Sequence, residues 1–421
     1  MLRQIKNIPY FTVARYFRFF ARIRLAAWKP RIVVITGSNG KTSALNLIEV
    51  QLGDAARYSH NANSSFGIPF DILGLTRTSY SLLEWVLLII RAPINAWKKP
   101  YAEKIYVVEA DCDRPGEGRF LSSLLMPEVV VWLSSARTHS QNFEKVVRRR
   151  GFPTIEKAIA HEFGYFAAHA SKHVLINADN DLITAEMKRV RAEVHLITER
   201  ELELYTITPD GSEFRIREKL YHTPCLLPKE TFYAIAASVR LAEYFRVTPT
   251  TDLSGLVMPP SRSSIFRGIK DTVIIDSTYN ANADSVAAVL HMIERLPSEK
   301  KWLILGDLIE QGAQEKEEHE KVARLVLEAD VQKVILVGPR LAAYTLPILK
   351  PALNTGIASY AGPKEALDDI QSSLQGGEML IFKGARFLEG VVEHLLQNKD
   401  DADKLCRRGR VWQKRRAQWG L

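Results

Sequence analysis

Cysteine is scarce: Cys112, Cys225 and Cys406 are the only three in 421 residues. They are far apart and odd in number, which excludes a disulfide framework and a CxxC metal site. A reducing, cytoplasmic compartment suits such a chain. Long apolar runs are also missing. Trp85-Val86-Leu87-Leu88-Ile89-Ile90 stops at Arg91 and Pro93, well short of the ~20 apolar residues that span a bilayer. The first residues do not read as a secretion signal. Their apolar side chains (Tyr10, Phe11, Phe17, Phe19, Phe20) are broken by arginines, with no clean apolar stretch before a small-residue cleavage site. No internal repeat or low-complexity tract is visible.

Acidic residues are missing from both ends. Residues 1–31 hold Arg3, Lys6, Arg15, Arg18, Arg22, Arg24, Lys29 and Arg31 without one Asp or Glu. Residues 404–421 hold Lys404, Arg407, Arg408, Arg410, Lys414, Arg415 and Arg416, again without an acid. The net charge is +9, so the chain between these ends is net acidic. That pattern argues against a nucleic-acid-binding core and for adhesive termini. Residues 8–28 mix aromatics and arginines at helical intervals. One reading is an amphipathic helix on an anionic membrane surface. The commoner arrangement is a helix packed on the body with its arginines solvated.

What remains is an ordinary globular composition, 46% apolar and 25% charged, long enough for two or three domains. Arg31–Thr36 (RIVVIT) reads as a buried strand, Gly37-Ser38-Asn39-Gly40 breaks it, and a helical pattern runs from Lys41 to about Leu52. Further strands are expected at 104–110, 128–134 and 173–177, with helices at 154–170 and 229–245. This alternation implies a mainly parallel sheet covered on both faces. A second alternating series starts near 272. Its strands fall at 272–276, 301–305, 332–337, 356–360 and 378–382. Its helices fall at 284–296, 314–329, 340–348, 363–374 and 386–398. It reads as an open, doubly wound α/β domain, joined by a linker at Leu256–Ser261. The expected fold class is therefore α/β, a central P-loop domain plus a C-terminal doubly wound, Rossmann-like domain. The expected divisions are a basic helix at 1–30, the central domain at 31–257, the C-terminal domain at 258–403 and a basic tail at 404–421.

The most informative segment is Thr36-Gly37-Ser38-Asn39-Gly40-Lys41-Thr42. Successive backbone N–H groups before a helix N-terminus bind anionic oxygens. Lys41 would neutralise phosphate, and the Thr42 hydroxyl would ligate magnesium. The common loop GxxxxGK[ST] needs a glycine where this chain has Ile35, so this is a shorter loop, TGxxGKT.

That short loop resembles the nucleotide loop of the Mur ligase family, and further blocks follow in the family's order. They are Asn61-Ala62-Asn63 with Gly67-Ile68-Pro69; Val107-Val108-Glu109-Ala110-Asp111 with Arg114-Pro115-Gly116-Glu117; Thr138-His139 with Phe143; and Pro260-Ser261-Arg262. Asp276-Ser277-Thr278-Tyr279-Asn280-Ala281-Asn282 is similar to the DDSYNAN signature of the family's D-alanyl-D-alanine-adding branch. Leu305-Gly306-Asp307-Leu308-Ile309-Glu310 with His319, and Phe382-Lys383-Gly384-Ala385-Arg386, complete the set across residues 32–390.

The resemblance implies an ATP-dependent carboxylate–amine ligase that works through an acyl phosphate, on a peptidoglycan precursor. It implies ATP and Mg2+ as cofactors. The catalytic candidates are Lys41, Glu109, His139 and Arg262. Nucleotide would be held by Gly37, Ser38, Asn39, Gly40, Lys41, Thr42, Asp276, Tyr279 and Asn280, and metal by Thr42, Glu109 and His139. The implied partner is a small-molecule or lipid-linked peptide substrate, met by a monomer in the cytoplasm, with the basic termini touching the inner membrane face. Three positions depart from the family pattern. Phe163, in Ile159–Gly164, stands where relatives carry a carbamylated lysine that binds a second magnesium. Ser277 replaces the signature's second aspartate, and Tyr233 replaces an adenine-side asparagine. A nucleotide-binding relative without ligase activity, and a ligase for another envelope polymer, are the rival readings.

Overall fold

The computed structural model describes residues 7–60, 62–78, 81–208, 210–353 and 356–421; Asn61, one of the motif residues above, lies outside them. The chain forms two compact units. One comprises residues 1–201 and 233–250, the other 202–232 and 251–421.

In the first unit a six-stranded sheet runs in the order β2-β3-β1-β4-β5-β6. The strands are β1 (Arg31–Thr36), β2 (Ala56–Tyr58), β3 (Ile105–Glu109), β4 (Val129–Trp132), β5 (His173–Asn177) and β6 (Glu193–Ile197). Every neighbouring pair is parallel. All of β3 and β4, and all of β1 after Arg31, are buried. That explains their continuous β-branched runs, since a parallel strand covered on both faces has no solvent side to mark with polar residues. The helices are α1 (Asn7–Trp28), α2 (Lys41–Leu52), α3 (Gly67–Leu73), α4 (Leu82–Ala96), α5 (Glu117–Leu125), α6 (Glu144–Arg150) and α7 (Ile155–Ala168), then the one-turn α8 (Asp181–Thr184) and α9 (Phe232–Tyr244).

Helix α1 takes the packed arrangement. Ala14, Phe17, Ala21 and Trp28 are buried in the unit's core, at the helical spacing that makes one inward stripe. Phe17 meets Phe70 edge to face at 4.7 Å, and the Trp28 indole donates to Glu103 O at 2.6 Å. Arg24 is buried too, and its guanidinium donates to Asn95 O at 2.6 Å and Lys98 O at 3.1 Å. This closes the C-terminal end of α4, whose last carbonyls have no intrahelical partner.

The second unit holds another six-stranded sheet, ordered β10-β11-β15-β12-β13-β14. Its strands are β10 (Ser264–Arg267), β11 (Val273–Ser277), β12 (Lys301–Gly306), β13 (Lys333–Val337), β14 (Ile357–Tyr360) and β15 (Met379–Lys383). All pairs are parallel except β10 with β11. The helices are α10 (Ala283–Glu294), α11 (Glu315–Glu328), α12 (Leu346–Leu353), α13 (Pro363–Ser373), α14 (Leu388–Leu395) and α15 (Arg410–Ala417). Asn282 caps α10 by accepting from Ser285 N, while Ser285 Oγ accepts from Asn282 N, the reciprocal arrangement that satisfies two orphan donors. The same unit carries a small antiparallel sheet, β7 (Leu202–Thr208), β8 (Gly211–Ile216) and β9 (Lys219–Thr223), which the sequence reading did not anticipate. The expectation of an α/β chain with mainly parallel sheets is met.

Candidate functional site

In the first unit the site begins where β1 ends. Thr36 is buried and its hydroxyl donates to Ala110 O at 2.9 Å. Gly37 follows with φ +131°, and a Cβ there would come within 2.7 Å of Ser134 O. Only glycine fits so close a backbone approach in that conformation. Beyond β4 the chain holds the loop in place. Ser38 N donates to Ser134 O at 3.1 Å, and Asn39 N to Ser134 Oγ at 2.8 Å. Ser38 Oγ accepts from Ala136 N and donates to Ala136 O. Gly40, at φ +82°, then opens α2, whose N-terminus carries partial positive charge.

Lys41 is buried. Its Nζ donates to Gly37 O at 2.6 Å and pairs with Asp111 Oδ2 at 2.8 Å. One residue on, Thr42 Oγ1 donates to Glu109 Oε2 at 2.8 Å. Glu109 ends β3 directly beside Ile35 of β1, and its own N–H donates to Ser59 Oγ. Past the strand end, Asp111 N donates to Asn63 O. His139, at φ +48°, places Nε2 3.1 Å from Asp113 Oδ1. One ligand atom each of Asp111, Asp113 and His139 lies within 4.8 Å of the others. The structure thus brings Lys41, Thr42, Glu109 and His139 to one sheet end, with Asp111 paired to the lysine and Asp113 to the histidine.

The donor chemistry fits a nucleotide and a hard divalent cation. A threonine hydroxyl beside a carboxylate, next to two further aspartates, is an oxygen-rich set of the kind magnesium takes. A glycine loop opening a helix suits phosphate. Asp111 and Asp113 were not among the site candidates, although Asp111 stands inside the Val107–Asp111 block. The signal was the carboxylate two residues past a buried strand glutamate, with another two residues later.

Of the departures, Phe163 is fully buried and belongs to the core, 6.4 Å from the Trp132 ring. Its neighbour Glu162 is also buried, and its Oε2 accepts from Gly118 N at 3.2 Å. Glu162 is near enough to Cys112 to reinforce burial in pushing that thiol's pKa well up. Tyr233 is buried and donates through its hydroxyl to Asp179 Oδ2 at 2.6 Å.

In the second unit the candidates gather at the carboxyl ends of the adjacent strands β11 and β15, the end of an open α/β sheet where ligands sit. Asp276 is fully buried; it accepts from Ser261 Oγ at 2.6 Å and from Thr278 N and Oγ1 at 3.0 and 2.7 Å. Burial raises its pKa against these bonds. Ser277 is buried beside it. The Arg262 guanidinium lies 4.7 Å from the Tyr279 ring centroid, and Tyr279 O accepts from Arg407. Asn280 O accepts from Lys383 Nζ at 2.8 Å. Burial, and then the nearby Arg262 charge, lower the Lys383 pKa to about 7.

Next along the sheet, Asp307 follows β12 fully buried and takes a guanidinium N–H of Arg386 at 2.7 Å, with Arg340 N and Leu341 N on its other oxygen. His319 Nε2 accepts from Leu308 N, which leaves Nδ1 to donate to Glu315 O. Burial lowers its pKa and favours this neutral ring.

Residues 261–386 match the family model "Mur ligase, glutamate ligase domain". This stretch is a Mur ligase domain. The homology extends beyond it. The chain is 24% identical over 392 residues to the UDP-N-acetylmuramoyl-tripeptide–D-alanyl-D-alanine ligase of Bacillus subtilis, covering 90% of this chain and 78% of that protein. It is 24% identical over 400 residues to the ligase of the same name from Escherichia coli, covering 89% and 80%. Among solved structures, the MurF ligase of Thermotoga maritima in complex with ADP superposes with a TM-score of 0.73. That match has 20% identity over 93% of this chain and 84% of that one. The fold is therefore that of the Mur ligases, across the Mur ligase domain and the parallel sheet that carries Lys41 alike.

Proposed function

We propose that this chain is an ATP-dependent carboxylate–amine ligase that adds D-alanyl-D-alanine to a peptidoglycan precursor. The observation that carries the reading is the Lys41–Asp111 and Thr42–Glu109 pairing at the end of β1 and β3, in a chain that also carries a Mur ligase domain. Lys41, with the loop Gly37–Gly40 and the N-terminus of α2 that it opens, would hold the ATP phosphates. Thr42, Glu109 and His139, the last paired with Asp113, would hold Mg2+, which neutralises phosphate charge when bound. In the second unit, Arg262 would be a catalytic group and Tyr279 and Asn280 nucleotide-binding ones, with the buried Asp276 holding the adjacent Ser261 and Thr278. The protein would act as a monomer on a soluble or lipid-linked peptide.

Phe163 favours a second reading, a nucleotide-binding homologue that no longer ligates. With the ring in the core, no lysine stands at that position to be carbamylated.

The experiment is ATP-dependent ligation read by mass spectrometry, with UDP-N-acetylmuramoyl-tripeptide and D-alanyl-D-alanine offered together and singly. Product that needs ATP, magnesium and both substrates supports the ligase. ATP hydrolysis indifferent to both substrates supports the second reading and overturns the first.

A further inference from the structure

Helix α4 is apolar on two faces, and only one of them is covered. Its inward side joins the core through Leu88 and Ala92, and Trp85 packs against Phe66 and Phe70. The Asn95 amide donates to Leu73 O at 2.9 Å, and Tyr16 of α1 donates to Ile89 O at 2.8 Å. These contacts fix the helix along its length. Its outward side carries Leu82, Leu83, Val86, Ile90 and Ile94, and Trp97 follows the last turn. They are 52–85% exposed. The spacing of Leu82, Val86, Ile90 and Ile94 is one residue per turn, so they form a single ridge. A contiguous apolar ridge of this size on a soluble surface marks an interaction site.

Charge decides what the ridge meets. Arg91, Lys98 and Lys99 are exposed along and just beyond it. Helix α1 lies alongside, with the Phe20 and Trp97 rings 6.1 Å apart. Its own exposed stripe is Arg15, Phe19 and Arg22, an aromatic between two arginines. Helix α1 contains no acid. The one acid of α4, Glu84, is held at the first turn by Thr78. The ridge is therefore apolar with a rim that is cationic apart from Glu84 at its first turn. A second copy docking on it about a two-fold axis would bring two cationic rims together. An anionic bilayer satisfies both parts, taking the apolar side chains among its acyl chains and the cations at its headgroups. Trp97 beside Lys98 and Lys99 is the residue pairing that settles at a headgroup boundary. The helix has 15 residues, about 22 Å, and no described helix is long and apolar enough to cross a membrane. It would lie in the interface.

We infer that the outward face of α4, with Phe19, Arg15 and Arg22 of α1, is a docking surface for an anionic lipid bilayer. The inference does not rest on the ligase reading. Of the two basic termini expected to touch the membrane, it keeps the N-terminal helix and leaves out the tail. Much of that tail's charge is engaged in the second unit: Arg408 pairs with Glu393, Arg407 with Glu389, and Arg416 is buried.

The test is flotation of the full chain with vesicles of phosphatidylcholine alone and of phosphatidylcholine with phosphatidylglycerol in equal parts, with gel filtration of the same samples. The wild-type chain should float with the phosphatidylglycerol vesicles, and less so as salt is added. Val86→Glu with Ile90→Glu should reduce the bound fraction about tenfold or more without lowering the melting temperature, because both side chains already face water. Lys98→Glu with Lys99→Glu should abolish the preference for phosphatidylglycerol, and it decides the matter if the first pair disturbs folding. Wild-type protein that stays unbound with both vesicles overturns the inference. So does a dimer, insensitive to vesicles, that Val86→Glu with Ile90→Glu dissociates. Ligation of soluble substrate is measured in each variant. Loss of flotation with ligation intact concerns this surface alone, and absent ligation with flotation intact concerns the ligase reading alone.

Discussion

Thr42 Oγ1 donates to Glu109 Oε2 at 2.8 Å, so the first turn of α2 and the end of β3 are joined through two oxygen ligands of one candidate metal site. Replacing Glu109 by Gln keeps the shape and an oxygen to accept that bond, and removes the charge. A neutral amide is a poorer ligand for a hard cation. Turnover of Glu109→Gln should fall about tenfold or more at low magnesium and recover in part as magnesium is raised, with little change in melting temperature. A magnesium titration alongside wild type checks this; superimposable curves would give Glu109 a structural role only.

Lys41 has both a chemical and a structural task. Its pairing with Asp111 is largely shielded from water, with 8% and 12% side-chain exposure. Removing one partner of a buried pair leaves the other uncompensated, at a cost of about 3–5 kcal/mol in fully buried cases. Lys41→Ala should therefore abolish ATP turnover and also lower the melting temperature. Lys41→Ala with Asp111→Asn should regain part of the lost stability and none of the turnover. A double-mutant cycle reads the coupling, expected at about 1–3 kcal/mol. Additive effects on stability would show that the pair is not a stability element.

Much of this arrangement is legible from residue order because of burial. β1 and β3 lie between covered faces, so RIVVIT and IYVVE announce themselves as unbroken β-branched runs, and the loop glycines follow at the strand end. The sheet β7–β9 is different. Its strands read LELYTIT, GSEFRI and KLYHT, with charged and polar residues at many positions because much of it is solvated. No motif marks it. The α4 ridge was hidden for a related reason. The run from Trp85 to Ile90 is visible as apolar, but periodicity cannot tell that one face is covered and the other open. Phe163 and Glu162 show a third limit. Adjacent helix residues point about 100° apart, so a motif aligned by one residue cannot say which side chain looks into the core.

Lys383 makes the stability of the second unit depend on pH. Its folded pKa is lowered to about 7, mainly by burial, against about 10.4 for an unfolded lysine. Between those values the unfolded chain binds a proton that the folded chain does not. Stability from this residue therefore rises with pH from about 7 towards 10 and is at its minimum below 7. The buried thiols of Cys112 and Cys406 act in the opposite sense, since their raised pKa values make unfolding release protons at high pH. The informative quantity is thus the difference between wild type and Lys383→Met. That difference should favour the variant most near pH 7 and shrink as pH rises to 9.5, in melting temperatures taken across the range. A difference independent of pH would mean that Lys383 stays charged in the folded protein.

Phe163→Lys introduces the lysine that the resemblance leads one to expect at that point of the motif, and its outcome follows from packing. The ring has no exposed surface and sits in the core with Trp132, Phe166 and Ile159. Removing a buried phenylalanine costs about 3–5 kcal/mol in lost burial and cavity formation. An unpaired ammonium in the same space adds a desolvation cost or is forced neutral. Glu162 does not offer a ready partner, because its carboxylate is directed to Gly118 N on α5. The variant should melt well below wild type and show no gain in bicarbonate-dependent phosphate release. Phe163→Leu, which keeps an apolar side chain, should lose far less stability and keep wild-type turnover. Bicarbonate-dependent turnover in Phe163→Lys at an unchanged melting temperature would mean that this side chain can turn from the core to the metal site, and that the protein is a ligase lacking only one ligand.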